Sequence, residues 1–302
     1  MRHDTSHFVD LDGPTHYLDF GGPDGPGSAP PVVFVHGLGG SHVNWVVVGP
    51  RLARDQRAYA IDLAGHGLTA PDHRGTDVRS NQRLLDRFLR EVVGRPAVLV
   101  GNSMGGMVSI LQASAHTESV AALVLVDPAV PAPLTVPPDP SVALSFAGYA
   151  VPGLAPAMLA RRRVQRTVEE QVHEILSLCC VDPERVPVEA VNRAIELGYA
   201  RRGFEHLDRA FLDAARSVIL TLTLRRQYVA RMHAVQAPVL LLHGDRDRLV
   251  PVAAARLAAR ELPAWRVEIA ADIGHVPQLE APDWTVDRYR AWWHGLSLSQ
   301  AG

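Results

Sequence analysis

The sequence predicts an α/β protein whose buried parallel sheet is split by a helical insertion, and three features carry that prediction. Short apolar runs rich in β-branched residues alternate with stretches whose apolar residues recur every three or four positions. Such alternation implies βαβ units with right-handed crossovers. The rhythm stops at Pro128, gives way to helical patterns alone, and returns at Pro238.

Taken in order, Phe8–Leu11 and His16–Phe20 read as strands around an Asp12-Gly13-Pro14 turn. The loop GGPDGPGSAPP leads into Val32–Val35, too short for a helix and β-branched enough for a central strand. Arg57–Asp62 is the next strand. Val78–Val93 is predicted helical, with Leu84, Leu85, Phe88, Leu89 and Val92 on one face and Arg83, Asp86, Arg87 and Arg90 on the other. Gly94 is placed to end it. Ala97–Val100, Met104–Ala115 and Ala121–Val126 follow as strand, helix and strand. Eight prolines between Pro128 and Pro156 rule out a continuing sheet. Val168–Leu178, Glu189–Tyr199 and Phe204–Leu212 then read as helices. Strand Pro238–His243, helix Val252–Glu261, strand Arg266–Ala270 and a helix from Asp283 to Trp293 complete the pattern.

Composition narrows the function. The 302 residues are 47% hydrophobic and 21% charged with a net charge of −2, which gives no electrostatic hold on nucleic acid or an acidic membrane. All 30 basic residues are arginine, so Schiff-base lysine and P-loop chemistry are excluded. The amino terminus lacks the apolar core of a signal peptide. No apolar stretch approaches the roughly 20 residues that span a bilayer. A soluble, cytoplasmic protein acting on a small molecule is expected. The two cysteines, Cys179 and Cys180, are adjacent and offer neither a disulfide framework nor a metal cluster. No metal and no organic cofactor is called for.

The chemistry concentrates at VLVGNSMGGMVSILQ, residues 98–112. A serine hydroxyl is a poor nucleophile without a base, an orienting acid and a site for the oxyanion. Gly101-Asn102-Ser103-Met104-Gly105 matches G-x-S-x-G, in which a sharp strand-to-helix turn leaves no room for flanking side chains and lifts the hydroxyl above the sheet. Met104 opens the following helix, so its N–H is directed at a developing oxyanion with help from the helix dipole. His275, in ADIGHVPQLE, follows the last strand by a glycine turn and is the candidate base. Asp247, in HGDRDRLVP, is the favoured acid, with Asp127 and Asp245 as rivals. A second oxyanion donor is expected from Leu38 N–H in VFVHGLGGSHVNW, where Gly37 lets backbone and substrate approach closely. His36 is read as a brace for that loop.

With HGLGG, DLAGHG at 62–67, GNSMGG at 101–106, GDRDRLVP at 244–251 and GHVPQLEAP at 274–282, the chain resembles the α/β-hydrolase superfamily over essentially its whole length. The order Ser103, Asp247, His275 is that of this fold. The resemblance implies a mostly parallel eight-stranded sheet flanked by helices. Residues 1–128 and 233–302 would form the core, and 129–232 a helical cap over the site. It also implies an acyl-enzyme on Ser103, with His275 as base and Asp247 orienting it.

Relatives that open epoxides or displace halide use an aspartate nucleophile, so Ser103 argues against both. GNSMGG resembles the enzymes that hydrolyse carbon–carbon bonds of ring-cleavage diketones. Their first loop is richer in glycine, however, and they carry tryptophan where this chain has Val276. GHVPQLEAP is of the commoner esterase and lipase type. An ester hydrolase is therefore expected first, a C–C hydrolase second, and a non-enzymatic ligand binder third; an intact triad disfavours the last. Candidate substrate contacts are Gly37, Asn102, Phe146, Tyr149, Met158 and Val276. Val151, Leu154 and Leu159 could join Phe146, Tyr149 and Met158 in an apolar acyl pocket or simply pack the cap. Trp45 and Met107 either border that pocket or fill the core. Arg161-Arg162-Arg163 is read as a solvated helix face.

Overall fold

A computed structural model describes residues 5–150, 155, 161 and 165–300, leaving aside the side chains of 145–147, 150 and 297–300. The sheet has eight strands: β1 Thr5–Asp10, β2 Pro14–Gly21, β3 Val32–Val35, β4 Ala58–Ile61, β5 Ala97–Asn102, β6 Val120–Val126, β7 Val239–Gly244 and β8 Arg266–Ala270. Their order across the sheet is β1-β2-β4-β3-β5-β6-β7-β8. The two pairings made by β2 are antiparallel and all the others are parallel.

The parallel strands are apolar on both faces because helices cover both faces. Val33, Val35, Leu99, Leu123, Leu125 and Leu241 face a core shared with Leu85, Phe88, Met107 and Ile110. These come from helices α2 (Val78–Phe88) and α3 (Met104–Ala115), which follow the short α1 (Gly49–Leu52). Val32, Phe34, Val98, Val100, Leu240 and Leu242 face the other side. There Trp45 stacks on Phe34 at 4.9 Å between centroids. Trp45 and Met107 are both fully buried core residues. The helix predicted over 78–93 is regular to Phe88 and finishes as one π turn, Leu89–Val93. Gly94 ends it at φ 71, its N–H reaching Leu89 O.

Between β6 and β7 the described residues are helical: α4 Pro140–Ala150, α5 Val168–Cys179, α6 Val188–Ala200, α7 Leu207–Thr223 and α8 Arg225–His233. Two of these, α7 and α8, depart from the sequence reading. Helix α4 forms inside the proline-rich stretch because Pro140 opens it, where no N–H is needed. Asp139 Oδ1 caps it, accepting from Ser141 N–H. The helix expected over 204–212 is displaced and far longer, since Ala210, Ala214, Ala215 and Val218 keep one face buried well past residue 212. Helix α8 was not anticipated. Helices α9 (Ala253–Glu261), α10 (Pro277–Glu280) and α11 (Pro282–Gln300) complete the chain. No helix among the described residues is long and apolar enough to cross a membrane.

Candidate active site

Strands β3, β5, β6, β7 and β8 each place a candidate functional residue just past the carboxyl end, where an open α/β sheet leaves a crevice. Ser103 follows β5, Asp127 follows β6, Asp247 lies past β7 and His275 past β8, while Leu38 follows β3. Ser103 sits at φ 53 and ψ −119, outside the ordinary regions for an L-residue and costing about 1–3 kcal/mol. Its neighbours enforce the turn. A Cβ at Gly101 would lie 2.6 Å from Gly105 O, and one at Gly105 would lie 2.1 Å from Val35 O. As the first residue of α3, Met104 has no intrahelical acceptor for its N–H.

Asp247 Oδ2 accepts a hydrogen bond from His275 Nδ1 at 2.7 Å, and both residues are buried. That bond fixes the tautomer that leaves Nε2 with a free lone pair. The second oxygen of Asp247 accepts from Leu249 and Val250 N–H at 2.8 and 3.0 Å. Burial alone would raise the Asp247 carboxyl, but His275, His243 and these amides outweigh it and hold the carboxyl below its ordinary value.

The rival acids are placed differently. Asp245 Oδ1 accepts from Asp272 N–H at 2.7 Å and braces the turn that follows β8. Asp127 is wholly buried, at φ 44, with Oδ1 on Gly244 N–H at 2.9 Å and Oδ2 without a partner. Burial, and then the nearby Asp247 charge, push its carboxyl well above the ordinary range. His243 lies beside both, its Nε2 3.5 Å from Asp247 and 3.6 Å from Asp127 while donating to Val250 O.

The loop after β3 lies against the serine. A Cβ at Gly37 would stand 3.0 Å from Ser103 Cβ and 3.2 Å from Asn102 Oδ1, a tight contact that glycine avoids. Leu38 N–H finds no acceptor among the described residues. His36 is a brace: Leu63 N–H donates to its Nε2 at 3.1 Å and its Nδ1 donates to Gly37 O at 2.8 Å. Burial lowers its pKa. Asp62, from DLAGHG, supports the same loop by accepting from His42 N–H and from the Nδ1 atoms of His16 and His42.

Of the candidate substrate contacts, Asn102 is spent on structure. Its amide donates to Val126 O at 3.0 Å and His275 O at 3.1 Å, tying the serine strand to the histidine loop. Val276 is buried in the core cluster around Trp45. Tyr149 stands edge-on to Phe211 at 5.4 Å, and Phe211 covers Gly39 of the Leu38 loop. Nothing about sequence spacing pointed to Phe211. The Phe146 side chain, Val151, Leu154, Met158, Leu159, Arg162 and Arg163 lie outside the described residues. Arg161 is exposed and donates to Gln165.

Two contacts with the helical insertion hold His275 from outside. His275 N–H donates to Cys179 O at 2.6 Å, and a Cβ at Gly274 would lie 2.2 Å from that oxygen. Glu280 accepts from Gly274 N–H with one oxygen and from Val181 and Asp182 N–H with the other. Burial pushes the pKa of the Cys179 thiol up to about 12, which keeps it protonated.

The chain belongs to the alpha/beta hydrolase family, whose model matches residues 32–288. It is 26% identical over 267 residues to the dihydrolipoyllysine-residue acetyltransferase component of the acetoin cleaving system of Pseudomonas putida, covering 88% of this chain and 63% of that protein. Over 265 residues it is 29% identical to the pimeloyl-[acyl-carrier protein] methyl ester esterase of Aromatoleum aromaticum, covering 84% of this chain and 94% of the relative. Among solved structures, Cfl2 of Burkholderia cenocepacia superposes with a TM-score of 0.78 at 23% identity, over 95% of each chain, a likeness of fold.

Proposed function

We propose that the protein is a serine hydrolase that cleaves carboxylic esters of a small to medium substrate with an apolar body, through an acyl-enzyme on Ser103. The observation that carries this reading is the Asp247–His275 hydrogen bond at 2.7 Å, with the His275 carbonyl tied to Asn102 beside a serine at φ 53. The methyl ester esterase relative supports it. On this reading His275 Nε2 takes the Ser103 proton as Oγ attacks the ester carbonyl. Asp247 holds the Nδ1–H and stabilises the imidazolium. Leu38 and Met104 N–H receive the oxyanion. Collapse expels the alcohol with the proton from His275; water, deprotonated in turn by His275, then releases the acid and restores Ser103. Residues 129–232 act as the cap over this site, and 1–128 with 233–302 as the core. The enzyme works in the cytoplasm on small molecules, without nucleic acid, cofactor or metal.

The test is turnover of p-nitrophenyl esters of rising acyl length beside a ring-cleavage dienoic diketone. Ester turnover that falls by about 10³-fold or more in Ser103→Ala is expected. Cleavage of the diketone alone would transfer the site to C–C hydrolysis. Silence on every substrate, with no labelling of Ser103 by a fluorophosphonate, would make the protein a ligand binder.

A further inference from the structure

Asp127 is a buried acid with no part in the acyl-transfer steps. It stands in the turn after β6, and that turn is hydrogen-bonded to the serine on both sides. Ser103 N–H donates to Val126 O at 3.1 Å, and Ala129 N–H donates to Ser103 O at 3.0 Å. Asp127 N–H donates to Leu242 O at 2.9 Å, and Asp127 Oδ1 accepts from Gly244 N–H at 2.9 Å. Asp127 therefore joins the serine turn to the end of β7, from which Asp247 follows. It does so at φ 44, outside the regions most L-residues adopt.

A carboxyl oxygen of Asp127 and one of Asp247 lie within 4.8 Å of each other, with His243 Nε2 3.6 and 3.5 Å from the two acids. The groups around this pair bring no positive charge to it. His243, from β7, uses Nε2–H on Val250 O, and burial keeps its ring neutral. His275 turns Nδ1–H to Asp247. Glu280, from α10, adds a further acid, and the Cys179 thiol, from α5, stays protonated. Two bare carboxylates in so small a dry space would repel without a counter-ion, so the pair holds a proton.

Hydrogen-bond partners decide which acid holds it. Asp247 accepts three N–H groups, from His275, Leu249 and Val250, whereas Asp127 accepts one. Asp127 Oδ2 is buried with no donor aimed at it, which suits a hydroxyl and not a carboxylate oxygen. We propose that Asp127 carries the proton and donates it from Oδ2 to Asp247, as a positioning residue that holds the Asp247 carboxylate against His275. The catalytic consequence rests on the ester-hydrolase reading above; the proton itself does not. On losing the proton, Asp127 turns from a donor into a like charge beside Asp247, and the Asp247–His275 bond loosens.

The first readout is the infrared C=O stretch of a carboxylic acid at pH 7, where solvated carboxyls are ionised. We expect it in wild type and in Ser103→Ala, and expect it gone in Asp127→Asn. Its absence from wild type, or its survival in Asp127→Asn, overturns the proposal. The amide of Asp127→Asn still donates to Asp247 and accepts from Gly244 N–H, whereas Asp127→Ala does neither. With p-nitrophenyl butyrate, Asp127→Asn should keep about tenfold or more of the kcat that Asp127→Ala loses, at similar KM. Equal kcat in the two variants overturns the positioning role. As pH rises, the kcat of wild type relative to Asp127→Asn should fall where the infrared band is lost. A ratio that stays constant through that loss overturns it too, and this comparison stands even if Asp127→Ala does not fold. Should no ester be hydrolysed, the ester reading falls and the downfield Nδ1–H proton resonance of His275 decides. It should be lost in wild type together with the infrared band and persist in Asp127→Asn. Identical behaviour in both overturns the positioning role independently of catalysis.

Discussion

Two buried clusters in this molecule are made of the same parts and put to different ends. His16, Asp62 and His42 form one; Asp127, His243 and Asp247 form the other, with His275 attached. In the first, one carboxylate takes four hydrogen bonds. Gly67 is pressed so close that a Cβ there would lie 2.0 Å from Asp62 Cγ. In the second, two carboxylates share one buried space, and Asp127 Oδ2 and His243 Nδ1 have no hydrogen-bond partner among the described residues. A closed network is a post that fixes a loop. An open one, with unspent capacity beside a strained serine, is where chemistry can be held. Charge follows the same division. Burial would raise both Asp62 and Asp247, and their histidines pull both below the ordinary value, whereas Asp127 has gone the other way. The carboxylate pair thus holds its charge on Asp247, the member that orients His275.

The sharpest way to break the comparison is to neutralise one acid in each cluster. Asp247→Asn should leave the fold intact and lower kcat by about 10⁴-fold, because the amide favours the wrong histidine tautomer. Asp62→Ala should lower stability by about 3–5 kcal/mol, read by urea unfolding, since two imidazoles and two amides lose their acceptor. If Asp62→Ala were as inactive as Asp247→Asn while equally stable to wild type, the division between post and catalytic cluster would collapse. The folded-state pKa of Asp62 lies below its unfolded value, so its contribution is present above about pH 4 and is lost as pH falls further. The acid limb of the stability curve should therefore flatten in Asp62→Asn. Asp127 has the opposite sign. Its contribution is present below the unfolded pKa and disappears as pH rises through the raised folded one. Asp127→Asn keeps an acceptor for Gly244 N–H and cannot ionise. Unfolding at pH 5 and pH 9 should show the variant gaining on wild type toward the alkaline end, by on the order of 1 kcal/mol for each pH unit between the unfolded carboxyl's pKa and the raised folded one. Equal slopes would mean that Asp127 is already ionised in the folded protein.

Much of the core was legible because its signals are local. Met104–Ala115 and Arg266–Ala270 were read to the residue, the first from its apolar helical period directly after the glycine-flanked serine and the second as a short strand. The elbow around Ser103 declares itself through glycines that only a crowded turn needs. His16 and His42 went unnoticed, since a histidine in a strand and one in a loop carry no mark of a shared carboxylate. Helix α7 was misplaced because its buried face is set by the helices it meets rather than by its own ends.

By itself, the sequence determined the alternation of strands and helices, the place where it is interrupted, and the residue types waiting at each strand end. Period, turn chemistry and chain order are properties of neighbouring residues, and they survive without a partner. Only the tertiary structure decided that Cys179 O receives the His275 amide, that Glu280 staples that loop to the insertion, and that Arg201 Nε is buried with no acceptor among the described residues. Those contacts join residues many elements apart, and their energy comes from burial and geometry that no local pattern records.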